Sequence, residues 1–147
     1  MKIELLRDDK KRFLDLLLEG DEQESMIDAY LDRGDMFVLY DGGPKSVCVV
    51  TYEGDGVYEL KNIATYEEFR SRGYGRRLIE EILEHYRGRG RTMLVGTGAS
   101  PRILRFYERC GFTVSHRVEN FFVDSYDHPM YDCGEQLVDM VYQRQDL

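Results

Sequence analysis

The spacing of apolar residues along the chain changes character near residue 66 and predicts two kinds of local structure. Lys2 to Arg7 alternates apolar and polar residues and reads as a short strand. Asp8 or Asp9 then caps a helix with Phe13, Leu14, Leu17 and Leu18 on one face, ending at Gly20. A second helix is expected from about Glu22 to Arg33, with Met26, Ile27 and Tyr30 inward and Gly34 as its stop. Met36 to Tyr40, Ser46 to Tyr52 and Val57 to Thr65 read as strands joined by turns at Asp41-Gly42-Gly43-Pro44-Lys45 and Gly54-Asp55-Gly56.

Beyond Thr65 strands alternate with helices. A loop over Tyr66 to Arg72 leads to Gly73-Tyr74-Gly75 and a helix to about Tyr86, whose buried face is Leu78, Ile79, Ile82, Leu83 and Tyr86. Gly88-Arg89-Gly90 ends it and Thr92 to Gly96 is a strand. Ser100 as N-cap and Pro101 at the first helical position open the next helix, which stops at Cys110-Gly111. Phe112 to Val123 is expected to be largely strand, Asp124 to Gly134 irregular, and Leu137 to Tyr142 the last strand. The sum is a mixed α/β chain, with hairpins first and a right-handed strand-helix-strand part after them.

Composition adds bounds. A chain of 147 residues, 42% hydrophobic and 33% charged, suits one globular domain, 1–147. No apolar run approaches the ~20 residues of a membrane span, and the N-terminus leads into no signal-peptide core. Cys48, Cys110 and Cys133 lack metal-ligand spacing, and an odd count leaves a thiol unpaired, so a cytoplasmic location is expected. The scattered His85, His116 and His128 also give no metal site.

The net charge of −8 is uneven. Residues 70–117 hold 11 arginines and 4 glutamates, whereas the remainder is strongly acidic. This reads either as solvated faces or as a basic half for a polyanion and an acidic half for a cation. An acidic chain is a poor nucleic-acid binder, because phosphate contacts need a broad basic surface.

The densest candidate chemistry is strand, loop, Arg70-x-x-Gly73-x-Gly75, helix. Glycines let the backbone approach a ligand, and the helix start offers unpaired N–H groups to a pyrophosphate. A P-loop would need Gly-Lys-Ser/Thr, but Arg76-Arg77 follows Gly75; a dinucleotide fingerprint would need a third glycine, but Leu78 stands there.

Arg70-Ser71-Arg72-Gly73-Tyr74-Gly75 resembles the Gln/Arg-x-x-Gly-x-Gly/Ala pyrophosphate motif of the GNAT family, the Gcn5-related N-acetyltransferases. Glu59-Leu60-Lys61-Asn62-Ile63-Ala64-Thr65 is similar to that family's fourth strand. Leu104 to Phe112, with Phe106-Tyr107 and Gly111-Phe112, is similar to its tyrosine helix. The resemblance implies a central, mostly antiparallel twisted sheet of about seven strands with a parallel splayed pair, flanked by about four helices. It implies acetyl-CoA as cosubstrate and no metal. Backbone groups of Ile63, Ala64 and Thr65 would pair with the pantetheine arm. Backbone N–H groups of Arg72 to Arg76, within the segment Arg70, Ser71, Arg72, Gly73, Tyr74, Gly75 and Arg76, would hold the pyrophosphate. Ser100 stands where many members carry a pantetheine-binding Asn. Tyr107 would protonate the departing thiolate and Glu59 would act as general base, with a strand amide near Ile63 holding the oxyanion.

A base is needed because a primary amine of pKa near 10.4 lies about three units from neutrality, or ~4 kcal/mol. Glu59 reads equally as a solvent-facing strand residue, and Tyr107 as core packing beside Phe106. Arg102, Arg105 and Arg109 share a helical face that is solvated or meets the coenzyme's ribose phosphate. The segment Asn120 to Asp132 is aromatic and acidic. It suits a pocket for a cationic amine, a contact with a second copy in a homodimer, or a plain loop. The expected acceptor is a small-molecule or protein amine. The alternative is an acyl-CoA sensor without turnover.

Overall fold

The computed structural model describes all 147 residues, and these group into two compact units, Met1–Arg91 with Leu147, and Thr92–Asp146.

In the first unit β1 (Lys2–Leu6), β2 (Asp35–Tyr40), β3 (Pro44–Gly54) and β4 (Val57–Thr65) lie side by side in chain order, every pair antiparallel. Val47 to Val50 is fully or almost fully buried, which explains its unbroken apolar run: both faces of β3 are covered. One face meets α1 (Leu14–Gly20) and the turns after α2 (Glu24–Asp28), through Leu16, Leu17, Ile27, Tyr30 and Leu31 against Met36, Val38, Val47, Val49 and Ala64. The other meets α3 (Tyr74–Tyr86), whose buried residues are the five expected from sequence. There the ring of Phe37 stands edge-on to Tyr86, with centroids 6.2 Å apart.

Both early helices are shorter than their sequence suggests. Asp9 adopts a left-handed backbone (φ 48°) and makes no side-chain cap; a 3-10 turn, Lys10–Phe13, precedes α1. Lys10 instead donates to the carbonyls of Leu31 (2.9 Å) and Gly34 (2.7 Å), so a long-range contact sets this entry. The second helix runs only over Glu24–Asp28, and tighter turns carry the chain to Gly34, with Tyr30 N–H bonded to Ile27 O at 3.1 Å. Buried polar contacts of Tyr30, described below, offset the lost helical bonds.

In the second unit β5 (Thr92–Gly98), β9 (Met140–Asp146) and β6 (Thr113–Val118) are antiparallel neighbours in that order. Between them α4 (Pro101–Arg109) starts at Ser100, as expected, although the Ser100 hydroxyl makes no cap bond. Its end is a Schellman motif: Phe112 N–H bonds Tyr107 O at 3.0 Å and Gly111 N–H bonds Glu108 O at 2.9 Å, with Gly111 at φ +98°. The Gly111-Phe112 pair is thereby explained, for Phe112 returns its ring to Tyr107, centroids 5.8 Å apart.

Three expectations in this unit are corrected. The strand expected to Val123 stops at Val118, and Phe121–Ser125 is a short helix, α5. Asn120 turns left-handed there (φ 57°) and its N–H bonds the Asp139 carboxylate at 2.9 Å, which breaks the strand. The segment taken as irregular contains a hairpin, β7 (Met130–Asp132) and β8 (Glu135–Leu137), turning on Cys133 and Gly134, both at positive φ. The last strand is displaced to Met140–Asp146, because the glutamines of its polar end are used inside: fully buried Gln143 donates to Leu104 O (3.1 Å) and Gln145 to Cys110 O (2.8 Å).

Candidate active site

In the first unit the candidate residues lie along β4 and the loop that leaves it. Ladder pairing passes from Asn62 opposite Val49 to Leu60 opposite Val50, so Lys61 is an extra residue and β4 carries a bulge. Bulges re-aim side chains, and this one separates Glu59 from Ile63, Ala64 and Thr65. Glu59 is not the solvent-facing strand residue of the simpler reading: only 7% of it is exposed. Burial raises its pKa above the usual carboxylate value, while the Lys61 ammonium, 3.0 Å away, opposes that shift. A largely buried carboxylate with raised pKa is a better proton acceptor than a free one. Lys61 also approaches Glu53 (3.6 Å), which Arg33 binds at 2.8 Å, so Glu59 heads a charged row.

The end of β4 is stitched to β3. The Ser46 hydroxyl donates to Ala64 O (2.9 Å) and lies 3.0 Å from the Thr65 hydroxyl. Past Thr65, a 3-10 turn at Glu67–Phe69 leads to Arg70. Arg70 is committed within the protein: its Nε donates to Thr65 O (3.1 Å) and its Nη2 to Glu19 (3.0 Å). It shapes the loop. Ser71 (φ 63°) and Gly73 (φ 85°) are both left-handed, and a methyl group built on Gly73 would meet nothing within 4 Å. Tyr74 donates to Asp41 of the β2–β3 turn at 2.7 Å and so anchors the first residue of α3.

This helix start fits an anion. Gly73 is the N-cap with no side chain to offer, no acidic residue lies in the first turn, and Arg77 N–H closes the first turn on Gly73 O at 3.0 Å. The N–H groups of Tyr74, Gly75 and Arg76 therefore carry the positive end of a 13-residue helix without a capping carboxylate. Arg76 and Arg77 are turned along the helix to Glu80 (3.4 Å) and Glu81 (3.7 Å).

In the second unit Tyr107 is buried, its ring edge-on to Phe106 (5.1 Å) and Phe112 (5.8 Å). Ser100 lines a cavity of about 210 Å³ with Ala99, Arg117, Asp132, Glu135 and Asp139 among its walls. The aromatic-acidic segment thus supplies a carboxylate, Asp132, to a pocket, while its aromatic residues Phe122 and Tyr126 stack on one another (5.8 Å). Arg102 is held by Asp132 at 2.7 Å.

One buried polar network was missed in the sequence. Asn62, 3% exposed, donates from Nδ2 to Leu17 O (2.9 Å) and to the Tyr30 hydroxyl (3.1 Å), and Tyr30 donates to Asp21 (3.2 Å). Burial, first, and the Asp21 charge raise the Tyr30 pKa, so this phenol stays protonated as a donor. The network ties α1 and the turns after α2 to β4 beside Ile63. Its only sequence signal is a polar residue at an inward position of β4, two before Ala64.

Comparison with known proteins identifies the family. The family model described as acetyltransferase (GNAT) domain matches residues 32–114. The uncharacterized N-acetyltransferase YvbK of Bacillus subtilis (strain 168) is 31% identical over 150 residues, covering 100% of this chain and 97% of its own length. A crystal structure of a Bacillus subtilis acetyltransferase in complex with CoA superposes with a TM-score of 0.92 at 31% identity, covering 99% of this chain and 98% of its own. A GNAT family acetyltransferase from Elizabethkingia anophelis with acetyl-CoA bound gives 0.93 at 28% identity, covering 99% and 97%. The match spans β4, the uncapped start of α3 and the tyrosine helix, and on it the chain belongs to the GNAT family of acetyltransferases.

Proposed function

We propose that this enzyme transfers the acetyl group of acetyl-CoA to a primary amine, without a metal. The observation that carries the proposal is the uncapped, acid-free start of α3 behind left-handed Ser71 and Gly73, which suits a pyrophosphate. The N–H groups from Arg72 to Arg76 hold that group. Backbone groups of Ile63, Ala64 and Thr65 take the pantetheine arm, with Ser100 at the start of α4 as a further contact. Acetyl-CoA, when bound, supplies an electrophilic thioester carbonyl.

Glu59 accepts the proton of the amine, directly or through water, and its raised pKa narrows the gap to the ammonium. A strand amide near Ile63 stabilises the oxyanion, and Tyr107 donates its phenolic proton to the departing thiolate. The acceptor is cationic at neutral pH. Glu22 at the α1–α2 connection and Glu135 in the cavity beside Ser100 support that class. Three free thiols favour the cytosol as its location.

The test is thiol release from acetyl-CoA across a panel of small amines and peptide N-termini. Amine-dependent release of free CoA is expected. Tight acetyl-CoA binding with no release from any amine would instead favour a sensor.

A further inference from the structure

Six of the seven arginines of the segments assigned to the coenzyme or its ribose phosphate are ion-paired or exposed on α4, and the pairing pattern leaves a remainder. Arg70 is bound to Glu19, Arg76 to Glu80, Arg77 to Glu81 and Arg102 to Asp132. Arg72 joins none of the ion pairs, and neither does Lys45 at the start of β3. Both cations instead lie against one ring: Lys45 Nζ is 3.6 Å and Arg72 Cζ 5.6 Å from the centroid of Phe69. A ring face attracts a cation by only about 0.5–1 kcal/mol at an exposed site and uses none of its N–H donors. Two like charges are thus gathered with their hydrogen-bonding capacity unspent.

Their placement is fixed rather than incidental. Lys45 O accepts from Tyr66 N–H at 3.1 Å, and the next residue, fully buried Ser46, bonds Ala64 O and the Thr65 hydroxyl. Phe69 N–H bonds Tyr66 O at 2.9 Å. Lys45 therefore belongs to the same hydrogen-bonded corner from which the pyrophosphate loop departs, although it lies 25 residues before Arg70 and outside the family motif.

We propose that Lys45 and Arg72, seated on Phe69, form a subsite for a phosphate monoester, and that its occupant is the 3′-phosphate of the coenzyme. This rests on the acetyl-CoA reading above and adds a specificity determinant to it. A monoester carries nearly two negative charges at neutral pH and three acceptor oxygens, matching one ammonium and one guanidinium. The pyrophosphate does not need them, because the N–H groups at the α3 start serve it. The subsite would make the enzyme discriminate CoA from 3′-dephospho-CoA, two ligands identical except for that group.

Calorimetric titration with each ligand decides the matter without knowledge of the acceptor. The expected result is that the wild-type protein binds CoA about tenfold to a hundredfold more tightly than 3′-dephospho-CoA. Lys45→Gln and Arg72→Gln should each weaken CoA while leaving 3′-dephospho-CoA nearly unchanged, so the two dissociation constants converge. Thermal melts establish that each variant is folded, and Phe69→Leu should narrow the preference by loosening both cations. Equal binding of the two ligands by the wild-type protein would overturn the subsite alone. So would variants that lose both ligands equally, for then the cations serve the pyrophosphate. Convergence in Arg105→Gln or Arg109→Gln, with Lys45→Gln unaffected, would move the monoester to α4. No binding of either ligand would overturn the coenzyme reading itself.

Discussion

Replacing Asn62 with aspartate changes one NH₂ group into an oxygen at nearly constant shape, and the structure fixes the consequence. Nδ2 spends both its protons, on Leu17 O at 2.9 Å and on the Tyr30 hydroxyl at 3.1 Å. Aspartate returns neither bond, a loss of about 1 kcal/mol each. Its new oxygen faces the Leu17 carbonyl, acceptor against acceptor. The Tyr30 proton, now given to Asp21, can serve only one of two carboxylates. An uncompensated charge in such a buried site costs about 3–5 kcal/mol. We expect Asn62→Asp to lose about 4 kcal/mol at pH 8, a large part of the 5–15 kcal/mol typical of a domain.

Protonation offers an escape, because the neutral acid regains a donor. The folded-state pKa of the introduced group therefore lies above the ordinary aspartate value of ~3.9. The neutral form is the one the fold tolerates, so the penalty is smallest below the unfolded pKa. It grows as pH rises and is complete above the folded pKa. Asn62→Leu is the control. It also loses both bonds, but it removes the buried Oδ1 that has no partner, and should cost about 1–2 kcal/mol at every pH. Urea denaturation at pH 5 and pH 8 measures all of this. If aspartate costs no more than leucine at pH 8, or costs the same at both pH values, Nδ2 is not the double donor described.

Other consequences concern turnover and the loop. Tyr107→Phe should lower kcat about a hundredfold with little change in acetyl-CoA affinity; equal turnover would reject the acid role. Glu59→Gln should lower turnover by a similar factor and abolish the acid limb of the pH–rate profile. Because burial raises the Glu59 pKa, its stabilising contribution is present below the unfolded pKa and lost as pH rises through the folded one. At neutral pH the same Gln variant should therefore match or exceed the wild-type urea midpoint despite losing Lys61 as an ionic partner; a clear drop would show that the pair outweighs desolvation. Gly73→Ala should cost about 1–2 kcal/mol, since φ +85° is left-handed and nothing clashes, and should weaken acetyl-CoA binding measured by calorimetry.

Periodicity alone determined the antiparallel hairpins of β2, β3 and β4, the buried face of α3 and the site of the Schellman turn at Gly111. Each is set within about a dozen neighbouring residues, by alternation, helical spacing or a glycine that must be left-handed. Arg70 to Gly75 was equally readable, because its geometry is local backbone geometry. Tertiary structure alone decided what those elements do with polar groups. Lys10 replaces the expected cap of α1 by reaching Leu31 and Gly34. Asn120 ends a strand by meeting Asp139, 19 residues away. Glu59 gains its raised pKa from burial, against the opposing charge of Lys61 at a bulge that no sequence pattern announces. Lys45 meets Phe69 through strand pairing, and Asn62 meets Leu17 from 45 residues away. Local preferences are worth tenths of a kcal/mol per residue, whereas a buried donor or charge left unmatched costs several. Long-range pairing therefore settles which polar side chains turn inward, and with them the chemistry of the site.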